Sequence, residues 1–525
     1  MPFLYFILFS SIFSSIHNRC PNEEIRDNRP ILDTYYESPS GHFWIHYDFS
    51  GDNAPNLTDD NNNNIPDYVE AAGEAADSAR FILTQEMGYM DEENDSDGKY
   101  DIYILELSSS LWGNCQSESS GGSFIRIRNT YEGMSEFCDD EKELLWLTVG
   151  HEFFHAVQYA YRSNSNDSYF RELTSMWFEN IFVPNCFDFL NFVDNGISSL
   201  FNNPEKGFDD NTSGQVGYSL ALYGHYLSTI IDYNDFEDQT PSTIMREIWE
   251  DYSEGGTVFS SLKNVLESNL YNTTFSETWV DFMSRNMFCG KYNNMDNDIY
   301  YHIAQSYISP PSIEYQPLVG NSIIESEIYI DDDRVSIIPY QAMDQYRINA
   351  QFQSSSELWN GYLLKNNLMA NISNAESYDF FSINDLDELI LIFSNENNAG
   401  NINYTFNVNI EGCMEYNAIN YNPNAVLDDG SCDFPVSSSL ISVYPNPINS
   451  ASSPFNIIYD QVSNGEIILE VFDIKGRLIS KKTFLIPSGR QYINYNIDTS
   501  ISSGIYFLRI SSYNNTEIIK FVNIR

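Results

Sequence analysis

The sequence predicts a multidomain α+β protein, a mixed sheet with several helices followed by β-sandwich domains. Three observations predict it. The chain has 525 residues, too many for one ordinary core. Residues from about 30 to 305 mix strand-like and helix-like segments and hold six of the seven histidines. Beyond about 315 the texture changes to short β-rich runs broken by Asn, Ser and Asp clusters. With 42% hydrophobic and 15% aromatic residues, there is enough apolar material to fold.

Charge narrows the function classes. The formal net charge is −49, from 75 acidic and 26 basic residues. Such a surface repels phosphate backbones, which argues against nucleic-acid binding. It suits solubility and cation binding.

Residues 1–17 read as a secretory signal peptide. "MPFLYFILFSSIFSSI" is apolar or small, uncharged and too short for a comfortable membrane span. No later stretch reaches spanning length, so no membrane span is expected in the mature chain. An exported chain oxidises its cysteines. Nearest-neighbour pairing of the seven gives Cys115–Cys138, Cys186–Cys289 and Cys413–Cys432, with Cys20 left over.

The first functional candidate is "DDNNNNIPDYVE". With Asp59 as position 1, Asn61, Asn63, Asp67 and Glu70 fall at 3, 5, 9 and 12, and the Ile65 carbonyl falls at 7. That is the oxygen spacing of an EF-hand-type calcium loop, with Asn64 where glycine is expected. The competing reading is a polar Asn-rich turn. A helix, "DYVEAAGEAADSARFILTQEMGY", follows. Next, "GGSFIRIRNT" at 121–130 reads as a strand.

The central candidate is "HEFFH". Asp140 with Glu143 predicts a capped helix start for "DDEKELLWLTVGHEFFHAVQYAY". On that helix His151 and His155 share a face and can both ligate one zinc ion. Glu152 lies beside them as a catalytic base for a water. Chance expects on the order of 0.01 such motifs in a chain with this histidine content. Zinc peptidases of the zincin class lay substrate along an edge strand beside the metal helix, the role the 121–130 strand would take. A metzincin would need Gly and His where this chain has Gln158 and Tyr161. "DSYFRELTSMWFEN" offers the other solution, a helix capped by Asp167 or Ser168 with Glu172 and Glu179 on one face. Glu172 is the expected third zinc ligand. Glu179 is expected to accept the free N–H of a ligand histidine. The competing reading of both is a solvated acidic face. Three protein ligands leave a fourth position for water, the arrangement of a catalytic site. Tyr218, Tyr223 and His225 are candidates to stabilise an oxyanion, with Tyr218 preferred.

Residues 315–410 read as an all-β sandwich and 411–432 as a small disulfide-bracketed module, in which "NAVLDDGS" could hold a second calcium. Residues 433–440 form a polar linker, and 441–525 are β-rich again.

"SPSGHFWIHYDFSG", "NNNIPDYVEAAGEAADSA", "YDIYILEL", "VGHEFFHAVQYAY" and "ELTSMWFEN", in this order, resemble a family of exported bacterial zinc metalloproteases, gluzincin-like in their HExxH motif. The resemblance covers about 30–305 and implies a zincin-like catalytic domain. Glu172, Trp177 and Glu179 match the family's third-ligand segment, while "LTS" replaces its usual glycine-containing step. "VYPNP", "VFDIKGRLI" and "SGIYFLRI" resemble a C-terminal type IX secretion sorting domain over 441–525. Together these imply a secreted or cell-surface zinc endopeptidase that acts on protein or peptide substrate and is exported by the type IX machinery. Zn2+ is the expected cofactor, with Ca2+ at the upstream loop. The alternative is a surface adhesion protein with a silent zincin-like domain. A third reading keeps the zinc but acts on a non-peptide amide or ester.

Overall fold

The structure, a computed structural model, describes residues 29–524 apart from 94–96, 109, 119–121, 135–137, 139, 164–166, 194–198, 211–213, 233–241, 291–307, 355–357, 367, 397–399, 417, 434–438, 450–453, 462–463, 498–500 and 513–514. The signal segment and Cys20 lie outside the described residues.

The first layer is a sheet. Strand β1 (Thr34–Glu37) pairs antiparallel with β2 (Phe43–Tyr47). Alternation in β2 sends Phe43, Ile45 and Tyr47 into the core and His46 to the opposite face, stacked on Tyr103 at 4.4 Å. Helix α1 (Asp67–Arg80) buries Val69, Ala72, Ala75, Ala76 and Ala79, small side chains that let it sit close to its neighbours. Strands β3 (Tyr100–Leu105), β4 (Gly113–Ser117) and β5 (Ser123–Arg128) complete the sheet in the order β1-β2-β3-β5-β4. β3 runs parallel to β2 and β5, and β4 returns antiparallel on β5.

The strand expected within 121–130 is therefore present, but it is internal. The edge belongs to β4, "GNCQS", whose polar composition hides it in the sequence. The Glu118 N–H donates to the Gly122 carbonyl at 3.0 Å, and Gly122 sits at φ +84°, which turns β4 into β5. Behind the sheet, Glu92 is buried and its carboxylate is held by Arg80 Nε at 3.0 Å and by His42 Nε2.

Helix α2 (Glu141–Tyr161) packs on α1 and over β4 and β5, and α3 (Ser168–Phe182) packs against α2. A short α4 (Leu190–Val193), then α5 (Gly214–Tyr226), α6 (Ile244–Glu254), α7 (Val258–Leu266) and α8 (Phe275–Asn286) follow. Helices α7 and α8 open on reciprocal capping boxes, Thr257 with Ser260 and Thr274 with Glu277. The chain just before α2 meets the chain just after α3, and the disulfide there is Cys138–Cys186, with Cα atoms 4.4 Å apart. This corrects the nearest-neighbour pairing. A helical hairpin brings residues 48 apart together, while Cys115 and Cys289 are buried as thiols.

The β-rich segment forms two facing sheets from β6 (Gln316–Leu318), β7 (Ser322–Ile330), β8 (Ser336–Ala342), β9 (Tyr346–Ser354), β10 (Trp359–Lys365), β11 (Leu368–Asn371), β12 (Ser377–Ile383), β13 (Glu388–Asn395) and β14 (Gly400–Ile410). Their orders are β11-β10-β13-β8-β6 and β12-β9-β14-β7. Helix α8 lies on β10 and β13, where Asn360 Nδ2 donates to the buried Ser276 Oγ at 3.0 Å. Val335, Ile337, Leu364, Ile390 and Ile392 join the same apolar cluster as Trp279 and Phe282. Helices and sandwich thus share one core.

Residues 410–525 form a second compact unit. It contains the Cys413–Cys432 disulfide, as expected. Seven strands follow: β15 (Ser439–Tyr444), β16 (Phe455–Gln461), β17 (Gly465–Asp473), β18 (Leu478–Ile486), β19 (Gly489–Tyr495), β20 (Gly504–Ser511) and β21 (Thr516–Asn523). They make sheets β15-β16-β19 and β18-β17-β20-β21 around their own core of Ile457, Leu469, Val471, Tyr495, Leu508 and Phe521. Among the described residues, no helix is long and apolar enough to cross a membrane.

Candidate metal centre

Helix α2 starts where the sequence predicts. The Asp140 carboxylate accepts the Glu143 N–H at 2.9 Å. Its later turns are buried nearly all round, so the polar residues among them are held by partners rather than by water. Gly150 makes the close contact with α3 possible, because a methyl group there would lie 2.5 Å from Phe182 Cδ1. Asp167 takes the N-cap position of α3, but its carboxylate accepts the Tyr252 hydroxyl and makes no capping hydrogen bond to the helix.

His151, His155 and Glu172 converge. Among the described residues they are the one group of three or more His, Cys, Asp or Glu donors within 4.8 Å of one another. The two Nε2 atoms are 3.1 Å apart, and Glu172 Oε2 lies 3.2 Å from His151 Nε2 and 3.6 Å from His155 Nε2. Donors on a tetrahedral zinc at 2.0–2.1 Å stand about 3.3 Å apart. The residues present therefore fit a small tetrahedral ion in both donor chemistry and spacing. All three are buried, with 1–4% of their surface exposed.

Each imidazole is anchored through its other nitrogen. Glu179 Oε1 lies 2.7 Å from His151 Nδ1, the place the sequence reading gave it. Gln158 Oε1 lies 2.8 Å from His155 Nδ1. Burial opposes charge on His151, but Glu172 and Glu179 outweigh it and raise its pKa to about 10. Burial would raise the Glu172 carboxyl, yet the imidazoles beside it, His155 foremost, pull it well below the usual range. The trio thus favours positive charge at its centre, which a divalent cation supplies.

Glu152 is buried next to the trio, and its carboxylate accepts the Cys115 backbone N–H of β4. Burial pushes its carboxyl up, with His151 and His155 opposing. A methyl group on Gly113 would lie 3.0 Å from Glu152 Cγ, so the edge strand passes directly over this carboxylate.

Helix α5 braces Glu172. A methyl group at Gly217 would lie 2.1 Å from the Tyr169 carbonyl and 2.8 Å from Glu172 Cβ, one at Gly214 would lie 3.1 Å from Glu172 Cγ, and one at Gly224 would lie 3.2 Å from Trp177. These glycines recur on one face of "GQVGYSLALYG", a signal of close helix approach that a motif search passes over. Tyr218 stands one turn after Gly214, buried, with its ring 4.9 Å from Phe192. Tyr223 is placed elsewhere. Its hydroxyl meets Thr278 Oγ1 at 2.8 Å among Phe275, Trp279 and Phe282. His225 is buried against Phe189.

The upstream loop folds around its oxygen-bearing side chains. Glu70 accepts the amides of Asn61 at 2.8 Å and Asn63 at 2.6 Å, Asp59 accepts the Asn63 and Asn64 N–H groups, and Asp67 accepts that of Asp60. Asn62 and Asn64 adopt φ +60° and +70°, the left-handed conformation expected at position 64. Asp67 and Glu70 lie in the first turn of α1.

Comparison with known proteins defines a class for the exported tail. Residues 442–525 match the family described as "Secretion system C-terminal sorting domain". The chain is a secreted or cell-surface protein, and its tail implies interaction with the type IX secretion machinery. No curated protein matches. Among solved structures, similarity is found to PorZ, a surface component of the type IX secretion system of Porphyromonas gingivalis, at 21% identity, 17% of this chain, 12% of that chain and TM-score 0.13. A β-glucuronidase of Parabacteroides merdae gives 11% identity over 34% of this chain and 25% of that one, and the adhesin domain of Epf from Streptococcus pyogenes gives 10% over 38% and 76%, each with TM-score 0.13. At these TM-scores nothing about fold or activity transfers.

Proposed function

We propose that the helical and mixed-sheet region is a zincin-like catalytic domain and that the protein is a secreted zinc endopeptidase. The convergence of His151, His155 and Glu172 beside the buried Glu152 carries this reading. Zinc, when bound, acidifies a water and polarises a carbonyl. Glu152 takes up a proton at its carboxylate and returns it to the leaving amine, and its raised pKa suits that exchange. Strand β4 offers an edge along which an extended peptide pairs, with its scissile bond brought to Glu152. Tyr218 is the candidate for steadying negative charge on the carbonyl oxygen.

Purified mature protein, assayed on casein with zinc and with a chelator, tests the reading. Wild type cleaves with zinc, while Glu152→Gln retains zinc and loses cleavage by at least about 100-fold. Equal cleavage by both removes Glu152 as the base. Bound zinc without cleavage of casein or gelatin favours a non-peptide amide or ester. No bound transition metal favours an adhesion protein, a reading supported by the run of β-strands from β6 to β21 after the last helix. We also propose that the 59–70 loop binds calcium and braces the start of α1.

A further inference from the structure

We propose that Gln158 is a positioning residue that fixes the tautomer of His155 and locks the two ligand-bearing helices in register. The proposal rests on the metal-site reading for its consequence, though not for its geometry. Gln158 is fully buried on α2, one turn beyond His155. Its Nε2 lies 3.1 Å from the Arg171 carbonyl, 2.9 Å from Thr174 Oγ1 and 3.1 Å from Ser175 Oγ, all on α3. A carbonyl oxygen can only accept, so the amide N–H2 must face α3. That leaves Oε1 facing His155 Nδ1 at 2.8 Å. An amide oxygen can also only accept, so Nδ1 must carry the proton. The lone pair of His155 is then on Nε2, the atom turned toward His151 and Glu172.

The chain of necessity thus runs from a backbone carbonyl of the helix bearing Glu172 to the donor atom of the helix bearing His155. Thr174 is itself oriented, because its hydroxyl donates to the Phe170 carbonyl at 3.0 Å and accepts the Trp249 indole N–H at 3.3 Å. The two ligand imidazoles are therefore held by different chemistry. His151 has a carboxylate partner in Glu179, and His155 has a neutral amide. A second carboxylate at 158 would face the Arg171 carbonyl with no proton to offer, so an amide satisfies both sides where an acid cannot.

The test uses metal-free and zinc-loaded mature protein of wild type, Gln158→Leu and Gln158→Glu. Long-range 1H–15N NMR of the metal-free imidazoles reports the tautomer, and competition with a chromophoric chelator reports zinc affinity. Wild type is expected to hold the His155 proton on Nδ1. Gln158→Leu should show a mixture of tautomers and bind zinc about 10–100-fold more weakly. Gln158→Glu keeps an acceptor at Nδ1 and should keep the tautomer, while loss of the donations to α3 lowers its melting temperature. Equal melting losses in both variants with the tautomer unchanged in both would mean that Gln158 only packs, and would overturn the proposal. If wild type binds no zinc, the metal reading fails, but the NMR comparison still decides the tautomer.

Discussion

Gly217→Ala is the sharpest probe of how Glu172, the proposed third ligand, is placed. The added methyl lies 2.1 Å from the Tyr169 carbonyl oxygen and 2.8 Å from Glu172 Cβ. A carbon next to a carbonyl oxygen rests at about 3.3–3.6 Å, so α5 must withdraw from α3 by roughly 1 Å. Both obstacles are close to the backbone, and neither can swing aside as a long side chain would. Overpacking of this kind costs about 1–3 kcal/mol, and each kcal/mol lowers the melting temperature of a mid-sized unit by about 2–4 °C. The same shift moves Glu172, whose carboxylate must meet a narrow ligand distance. A loss of zinc affinity of tenfold or more, about 1.4 kcal/mol, is expected. Differential scanning calorimetry and a zinc competition titration read the two effects separately. Gly504→Ala is the control, because a methyl there meets nothing nearer than 3.8 Å. Wild-type melting and zinc binding in Gly217→Ala would refute the close-approach argument.

The remaining expectations concern structure away from His151, His155 and Glu172. The Glu92 carboxyl has a lowered pKa; burial opposes this, but His42 and Arg80 prevail. Its stabilisation is therefore complete above the ordinary carboxylate pKa and is lost as pH falls through the lowered value. Wild type should lose melting temperature progressively below about pH 4.5, and Glu92→Gln should flatten that limb. EGTA should lower the melting temperature of wild type but not of Asp59→Ala; an unchanged wild-type melt removes the calcium proposal. Replacing Cys138 and Cys186 by Ser opens a 48-residue loop and should cost about 4 kcal/mol by chain entropy, seen as a lower melting temperature in non-reducing buffer.

What was legible in the sequence was local. His151, Glu152 and His155 announce themselves because a helix converts a spacing of four into one face. Glu172 and Glu179 could be found because a second helical stretch follows closely and a spacing of seven puts both on one face, although the side-chain cap expected at its start is absent. The Asn64 conformation was legible because the loop's oxygen spacing demands a left-handed residue there. What needed the fold was every relation set by long-range packing. The five residues of β4 carry no alternation, so their edge position appears only once β5 is seen to be internal. Cys138 meets Cys186 because two helices run back to back, a fact no cysteine spacing encodes. In the sequence Gln158 registers only as a departure from the metzincin pattern, and its partners lie on the next helix. Gly214, Gly217 and Gly224 did carry a signal, a small-residue face, whose meaning depends on knowing that α3 lies against it.

The seam between α8 and strands β10 and β13 has a practical consequence. A chain cut near residue 310 would strip β10 and β13 from α8 and leave the buried Ser276 without Asn360, its amide partner. A fragment meant to keep α8 covered therefore runs to about Ile410. The strands of the exported tail, by contrast, close around an apolar interior of their own.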